Sequence, residues 1–152
     1  MAKKHSDIAL QYVMPRAITL LSRKMTPLLN DILSDYGLTT SELPFYTALQ
    51  EEDGVTQEYL TRLLHFDKAA TARAIKRLED KGLVTRQLNP TDKRQCHVYL
   101  TEAGRRDWPL IHKRLSDFHD SLTAGLSSAE VHQLGDYLST LEANILEMRI
   151  VR

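Results

Sequence analysis

The stretch DKAATARAIKRLEDKGLVTRQLNPTDKRQCHVYL, running from Asp67 to Leu100, decides the fold. Asp67 is a capping residue ahead of a run free of proline and glycine, and Lys81-Gly82 closes that run. An acid at the start, cations toward the end and a glycine just past it are what a helix requires at its two poles. Two strand-like runs follow, Leu83 to Leu88 and Gln95 to Leu100, separated by Asn89-Pro90-Thr91-Asp92-Lys93-Arg94. Asparagine and aspartate favour turns through side-chain to backbone bonds, and proline presets its own φ, so the pair reads as a hairpin with a charged tip.

Upstream, Thr56 can cap a short helix through Leu64, with Leu60, Leu63 and Leu64 as its inner face. Only His65-Phe66 separates it from Asp67, and two helices joined by so tight a turn read as helix-turn-helix. Followed by a hairpin, this is a winged helix. Thr39-Thr40-Ser41 offers hydroxyl caps for another helix to about Gln50, broken by Glu51-Glu52-Asp53-Gly54. From Ser6 to Tyr36, Leu21, Met25, Leu28, Leu29 and Ile32 recur at helical spacing. Pro15 is expected near the start of that helix, Pro27 as a kink within it, and Gly37 at its end.

Beyond the hairpin one helix is expected from about Thr101 to Leu122, bent at Pro109, and a last one from Ser128 onward. In the last, Val131, Leu134, Leu138, Leu141, Ile145 and Met148 follow a 3,4,3,4,3 spacing that fits a narrow coiled-coil-like seam. Such a seam needs a helical partner, either the first helix of the same chain or a two-fold copy. The expected fold class is mainly α with a small β-hairpin wing.

With 152 residues, 42% of them hydrophobic, the chain suits one cooperative unit that needs no disulfide or metal staple. Its one cysteine, Cys96, cannot form an intrachain disulfide and suits a reducing compartment. Asp7 and Gln11 interrupt what would be the apolar part of an export signal, and no run approaches the ~18 apolar residues of a bilayer crossing. A cytoplasmic protein with no membrane association is expected. Net charge is zero, yet residues 62–106 hold 11 of the 20 Lys and Arg against 5 of the 20 Asp and Glu. A basic middle between acidic flanks fits a polyanion-binding face held on a non-binding support; the alternative is a solvated basic face.

On a helical wheel starting at Asp67, Ala70, Ala74, Ile75 and Leu78 form one side with Thr71 between them. The other side carries Ala69, Ala72, Arg73 and Lys76, with Lys68 and Arg77 nearer the edges. Small side chains beside long cations let a helix enter a major groove roughly 12 Å wide. Arg73 is the candidate base reader, because guanidinium can bond guanine bidentately, while Lys76 and Arg77 suit phosphates. In the tip, Asp92 and Arg94 project to the same side of an extended chain, so Asp92 can orient Arg94 toward an A·T-rich minor groove, or the two form a plain surface ion pair.

These residues together resemble the MarR family of bacterial and archaeal transcriptional regulators. The resemblance rests on Asp67 through Arg86, on Asp92-Lys93-Arg94, on Leu100-Thr101-Glu102-Ala103-Gly104 and on Gly37-Leu38-Thr39. It covers about residues 30 to 106 in motif and the whole chain in element order. It implies a homodimer whose terminal helices dimerise and whose recognition helices and wings bind a pseudo-palindromic operator in double-stranded DNA, most simply as a repressor. The expected division is an N-terminal dimerisation segment (1–36), a DNA-binding lobe (37–104) and a C-terminal dimerisation segment (105–152) with Val131, Leu134, Leu138, Leu141 and Ile145 in its seam. The expected DNA-binding set is Lys68, Thr71, Arg73, Lys76, Arg77, Arg86, Asp92, Lys93 and Arg94, with Arg86 as a wing or backbone contact. His65 departs from the glycine often found in the family's inter-helix turn, a position expected to tolerate it in an ordinary conformation.

Many members of this family release DNA on meeting a small aromatic or phenolic ligand, an oxidant or a metal. Cys96 alternates with Val98 and Leu100 toward one face, which reads as a buried inert thiol; a redox-sensing role for it is the alternative. The histidines show no i, i+4 pair, so no metal site or cofactor is expected. By analogy an organic effector fits best, with Tyr46, Trp108 and His112 as candidate contacts. An enzyme is disfavoured, since Cys96 and His97 point to opposite faces of a strand and no phosphate loop, zinc signature or nucleophile elbow is present. A winged helix turned protein-interaction module is disfavoured by the retention of Arg73, Lys76 and Arg94.

Overall fold

Caps and glycines set the element boundaries. The computed structural model describes the backbone of residues 3–89 and 95–150 and the side chains of 12–89 and 95–148, so Asp92, Lys93 and Arg94 lie outside the described residues. The first helix, α1 (Lys3–Ser34), continues through both prolines, and Pro15 is interior rather than near the start as the sequence led us to expect. A helix that begins at Lys3 already has several turns built before Pro15, and the prolyl ring removes only one backbone bond. Gly37, at φ +67°, ends it: Leu38 N–H donates to Leu33 O (3.1 Å) and Gly37 N–H to Ser34 O (3.0 Å), with Leu33 and Leu38 both buried. This is the Schellman pattern with its hydrophobic contact.

The second helix, α2 (Leu43–Glu51), starts later than the hydroxyls at 39–41 predict. Thr39 N–H donates to Glu42 Oε2 (3.0 Å), so the turn before α2 is closed by the Glu42 carboxylate. Strand β1 (Val55–Thr56) precedes α3 (Gln57–Leu63), where Thr56 Oγ1 accepts from Tyr59 N–H (3.1 Å). Helix α4 (Lys68–Asp80) is capped by Asp67, whose Oδ1 accepts from Ala70 N–H (2.7 Å), and is closed at Gly82 by a second Schellman pattern. Leu60 is buried, but Leu63 is 48% exposed, so the inner face of α3 is narrower than its leucines suggested.

The expected hairpin is present as β2 (Val84–Leu88) and β3 (Cys96–Leu100), antiparallel with Val84 opposite Leu100 and Leu88 opposite Cys96. β1 joins the other edge of β3, Val55 opposite Val98, giving an antiparallel sheet in the order β1-β3-β2. The expected single helix from Thr101 is two, α5 (Glu102–Arg106) and α6 (Trp108–Leu122). Asp107 ends one, and its carbonyl accepts from Leu110 and Ile111 to begin the next. Pro109 therefore sits in the first turn of α6, where a missing N–H costs nothing, rather than bending a longer helix.

Two compact units result, Met1–Leu115 and Ser116–Arg152. The core of the first is built from the end of α1 (Leu33), α2 (Phe45, Tyr46, Leu49), α3 (Leu60), α4 (Ala74, Ile75, Leu78), the sheet (Val84, Val98, Leu100) and Ile111. The second holds α7 (Ser128–Ile150), begun by a reciprocal cap: Ser127 N–H donates to Glu130 Oε2 (2.7 Å) and Glu130 N–H to Ser127 Oγ (3.3 Å). No side chain described in α7 is buried, and Leu134, Leu138, Ile145 and Met148 are exposed.

Candidate nucleic-acid interface

Helix α4 presents the two faces its spacing dictates. Thr71, Ala74, Ile75 and Leu78 are buried, and Ala69, Ala72, Arg73, Lys76 and Arg77 are exposed. Thr71 therefore leaves the DNA-binding set: it is 1% exposed, and its hydroxyl donates to the Asp67 carbonyl (3.0 Å) and meets the Thr61 hydroxyl (3.0 Å). A side chain turned inward and bonded to its own helix cannot reach a groove. Arg73 and Lys68 are exposed, and no ion pair among the described residues involves either.

Among the described residues the other expected cations, Lys76, Arg77 and Arg86, are tied to acids. Lys76 pairs with Asp80 one turn on, an exposed pair of the kind worth under ~1 kcal/mol and exchangeable for a phosphate. At the base of the wing, Arg86 grips Glu79 of α4, with Nη2 to Oε2 at 2.5 Å and Nε to both carboxylate oxygens at 3.1 and 3.2 Å. The Arg86 guanidinium, through its hydrogen bonds, holds the Glu79 carboxyl below the usual carboxylate range. Arg86 thus joins α4 to the wing.

Glu42 is the residue that sequence reasoning passed over. Its carboxylate is fully buried, and Arg77 Nε donates to Oε1 (3.1 Å) while Lys81 Nζ donates to Oε2 (2.6 Å). Arg77 Nη2 also reaches Ser41 Oγ (3.3 Å). Burial alone would raise the carboxyl's pKa, but the bonds from Lys81 and Thr39 outweigh it and the net direction is down. The one sequence sign was Thr39-Thr-Ser-Glu42, the spacing of a capping box, which gives no hint of partners 35 and 39 residues away.

The inter-helix turn also differs from expectation. His65 adopts φ +55°, the left-handed region that favours glycine, rather than an ordinary conformation. The turn geometry is kept, and the imidazole side chain sits in a strained backbone to keep it.

Tyr46, Trp108 and His112 are brought together as a run of edge-to-face rings, with centroids 5.9 and 5.4 Å apart. Tyr46 is fully buried and its hydroxyl donates to Gly104 O (2.5 Å), so it is part of the core rather than a cleft wall; His112 is exposed. Cys96 is half-buried rather than buried, at the outer end of β3. Among the described residues no group of three or more His, Cys, Asp and Glu could hold a metal ion, and no helix is long and apolar enough to cross a membrane.

The same features recur in known proteins. A family model described as MarR family matches residues 36–95. The multiple antibiotic resistance protein MarR of Escherichia coli (strain K12) is 32% identical over 138 residues, spanning 90% of this chain and 95% of that protein. A crystal structure of the transcriptional regulator SlyA superposes with a TM-score of 0.83 at 30% identity, covering 92% of this chain and 99% of that one. A mutant MarR from E. coli, solved in complex with operator DNA, gives 0.76 at 30% identity over 86% and 94%. Winged-helix architecture, helix order and sequence agree over nearly the whole length, and the chain belongs to the MarR family of DNA-binding transcriptional regulators.

Proposed function

We propose that the chain binds a pseudo-palindromic operator as a homodimer and represses transcription there, acting in the cytoplasm. The observation that carries this reading is the outer face of α4, where exposed Arg73 stands between Ala69, Ala72 and Lys76. The small residues allow close approach to base edges and Arg73 supplies a donor fork for guanine, while Lys68, Lys76 and Arg77 neutralise phosphates. Lys93 and Arg94 of the wing tip, supported by Asp92, add the minor-groove contact. DNA-complexed relatives, the mutant MarR among them, support the choice of partner.

Residues 37–104 form the DNA-binding lobe in this reading, and 1–36 with 105–152 dimerise. Tyr12, Val13, Leu21 and Leu28 of α1 and Leu134, Leu138 and Ile145 of α7 are large, apolar and exposed, which supports an apolar partner for both helices. A two-fold copy places two recognition helices about one DNA turn, ~34 Å, apart. A small aromatic or phenolic effector releases the operator by way of the Trp108 and His112 rings.

Selection from a random DNA pool at near-physiological salt tests the reading. An inverted repeat bound ~10³-fold or more above scrambled duplex is expected. Enrichment of a motif without two-fold symmetry, or none at all from a folded dimer, would contradict it. Phenol is the first effector probe, and release of the selected duplex that is lost in His112→Ala is the expected outcome.

A further inference from the structure

Arg77 of α4 and Lys81, the residue that closes it, converge on one fully buried carboxylate. We infer that Glu42 is a positioning residue for DNA recognition: it holds the C-terminal half of α4 against the start of α2 through Arg77 and Lys81. Arg77 thereby governs specificity and is more than a phosphate counter-charge. This inference rests on α4 being the base-reading helix.

The geometry departs from that of a surface ion pair. Glu42 has both oxygens engaged, Oε1 by Arg77 and Oε2 by Lys81 and the Thr39 amide. Arg77 in turn spans two acceptors, Glu42 Oε1 and Ser41 Oγ, which needs the planar fork of guanidinium. On the wheel Arg77 and Arg73 are four residues apart and so lie on adjacent turns of one face. A helix whose end is fixed in roll and height by three bonds to a neighbouring element presents Arg73 at a fixed position. Without them the helix keeps its core contacts at Ala74, Ile75 and Leu78 but gains freedom to roll about that side. Base reading is more sensitive to such freedom than phosphate attraction, because a bidentate bond requires alignment and a screened charge does not.

The test compares wild type, Glu42→Gln, Arg77→Lys, the double variant and Arg73→Ala. Each is titrated with the selected operator and with scrambled duplex, at a temperature where circular dichroism shows every variant folded. Glu42→Gln removes a negative charge, so scrambled binding is expected to hold or rise, while the operator-to-scrambled preference falls about tenfold. Arg77→Lys keeps the charge but cannot span both acceptors, and the same loss of preference is expected. The double variant is expected to lose less preference than the product of the two single losses, because both substitutions remove the one contact that Arg77 and Glu42 share.

A Glu42→Gln protein with unchanged preference, or an Arg77→Lys protein indistinguishable from wild type, overturns the inference. So does a double variant in which the two losses multiply. Arg73→Ala separates the two levels of failure: if it too leaves the preference intact, α4 is not the base-reading helix at all.

Discussion

Helices α4 and α7 are both well capped, one by Asp67 and the other by the Ser127–Glu130 pair, yet they end in opposite situations. α4 buries a full face within its own lobe and is pinned at its far end by Glu42. α7 buries none of its described side chains and leaves Leu134, Leu138, Ile145 and Met148 in solvent. Caps and propensity make a helix; burial decides where it sits. The lobe around α4 buries its apolar face within itself, whereas the apolar seam of α7 is left exposed.

The glycines offer the sharpest contrast between the two regions. At Gly104 an added Cβ would stand 2.1 Å from the Leu83 carbonyl oxygen, a backbone atom that cannot step aside, and the Gly104 carbonyl already accepts from Tyr46 and Gln50. Gly104→Ala is expected to cost about 3 kcal/mol or more, read as a large drop in melting temperature or loss of folded protein. A melting temperature within a degree of wild type would mean that the lobe is less tightly specified than its contacts imply.

The seam of α7 comes next in size. Leu138→Asp places a charge in the middle of it and is expected to shift the molar mass from dimer to monomer in sedimentation and to weaken operator binding at least tenfold. An unchanged mass would move the interface elsewhere. In the lobe, Asp67→Ala removes the α4 cap and is expected to cost about 1 kcal/mol in urea unfolding.

Glu42 gives the lobe around α4 a pH dependence. Its folded pKa lies below the ordinary 4.5, so the stability it contributes is present above the ordinary carboxylate range and is lost as pH falls through the folded value. Urea midpoints measured from pH 7 down to 3 are expected to fall less steeply for Glu42→Gln than for wild type. The smallest effect has the opposite sign. Gly135 lies inside α7 with nothing within 4 Å of an added Cβ, so Gly135→Ala is expected to stabilise by under ~1 kcal/mol.

What the sequence shows and what it hides divide along the range of the interactions involved. Local chemistry was legible: Asp67, Thr56 and Gly82 mark their boundaries because capping acts within a few residues. The two-residue β1 was not, since nothing in Val55-Thr56 differs from a loop until β3 lies beside it. The break at Asp107 escaped because Pro109, the visible punctuation, is two residues past it. At the candidate site, periodicity separated Arg73 from the core and put Thr71 on the inner side with Ala74 and Leu78, so placing Thr71 in the DNA-binding set went against its own spacing, and its burial corrects that. Glu42 could not be found at all, because its meaning lies in two cations more than 30 residues along the chain.

The central claim is that α4 reads bases through Arg73. Repeating the random-pool selection with Arg73→Ala tests it most directly. The account predicts the same inverted repeat with preference relaxed at one base pair in each half-site, at a cost of about 1 to 3 kcal/mol on the wild-type operator. An identical motif of undiminished preference would contradict it and place sequence reading in another part of the molecule.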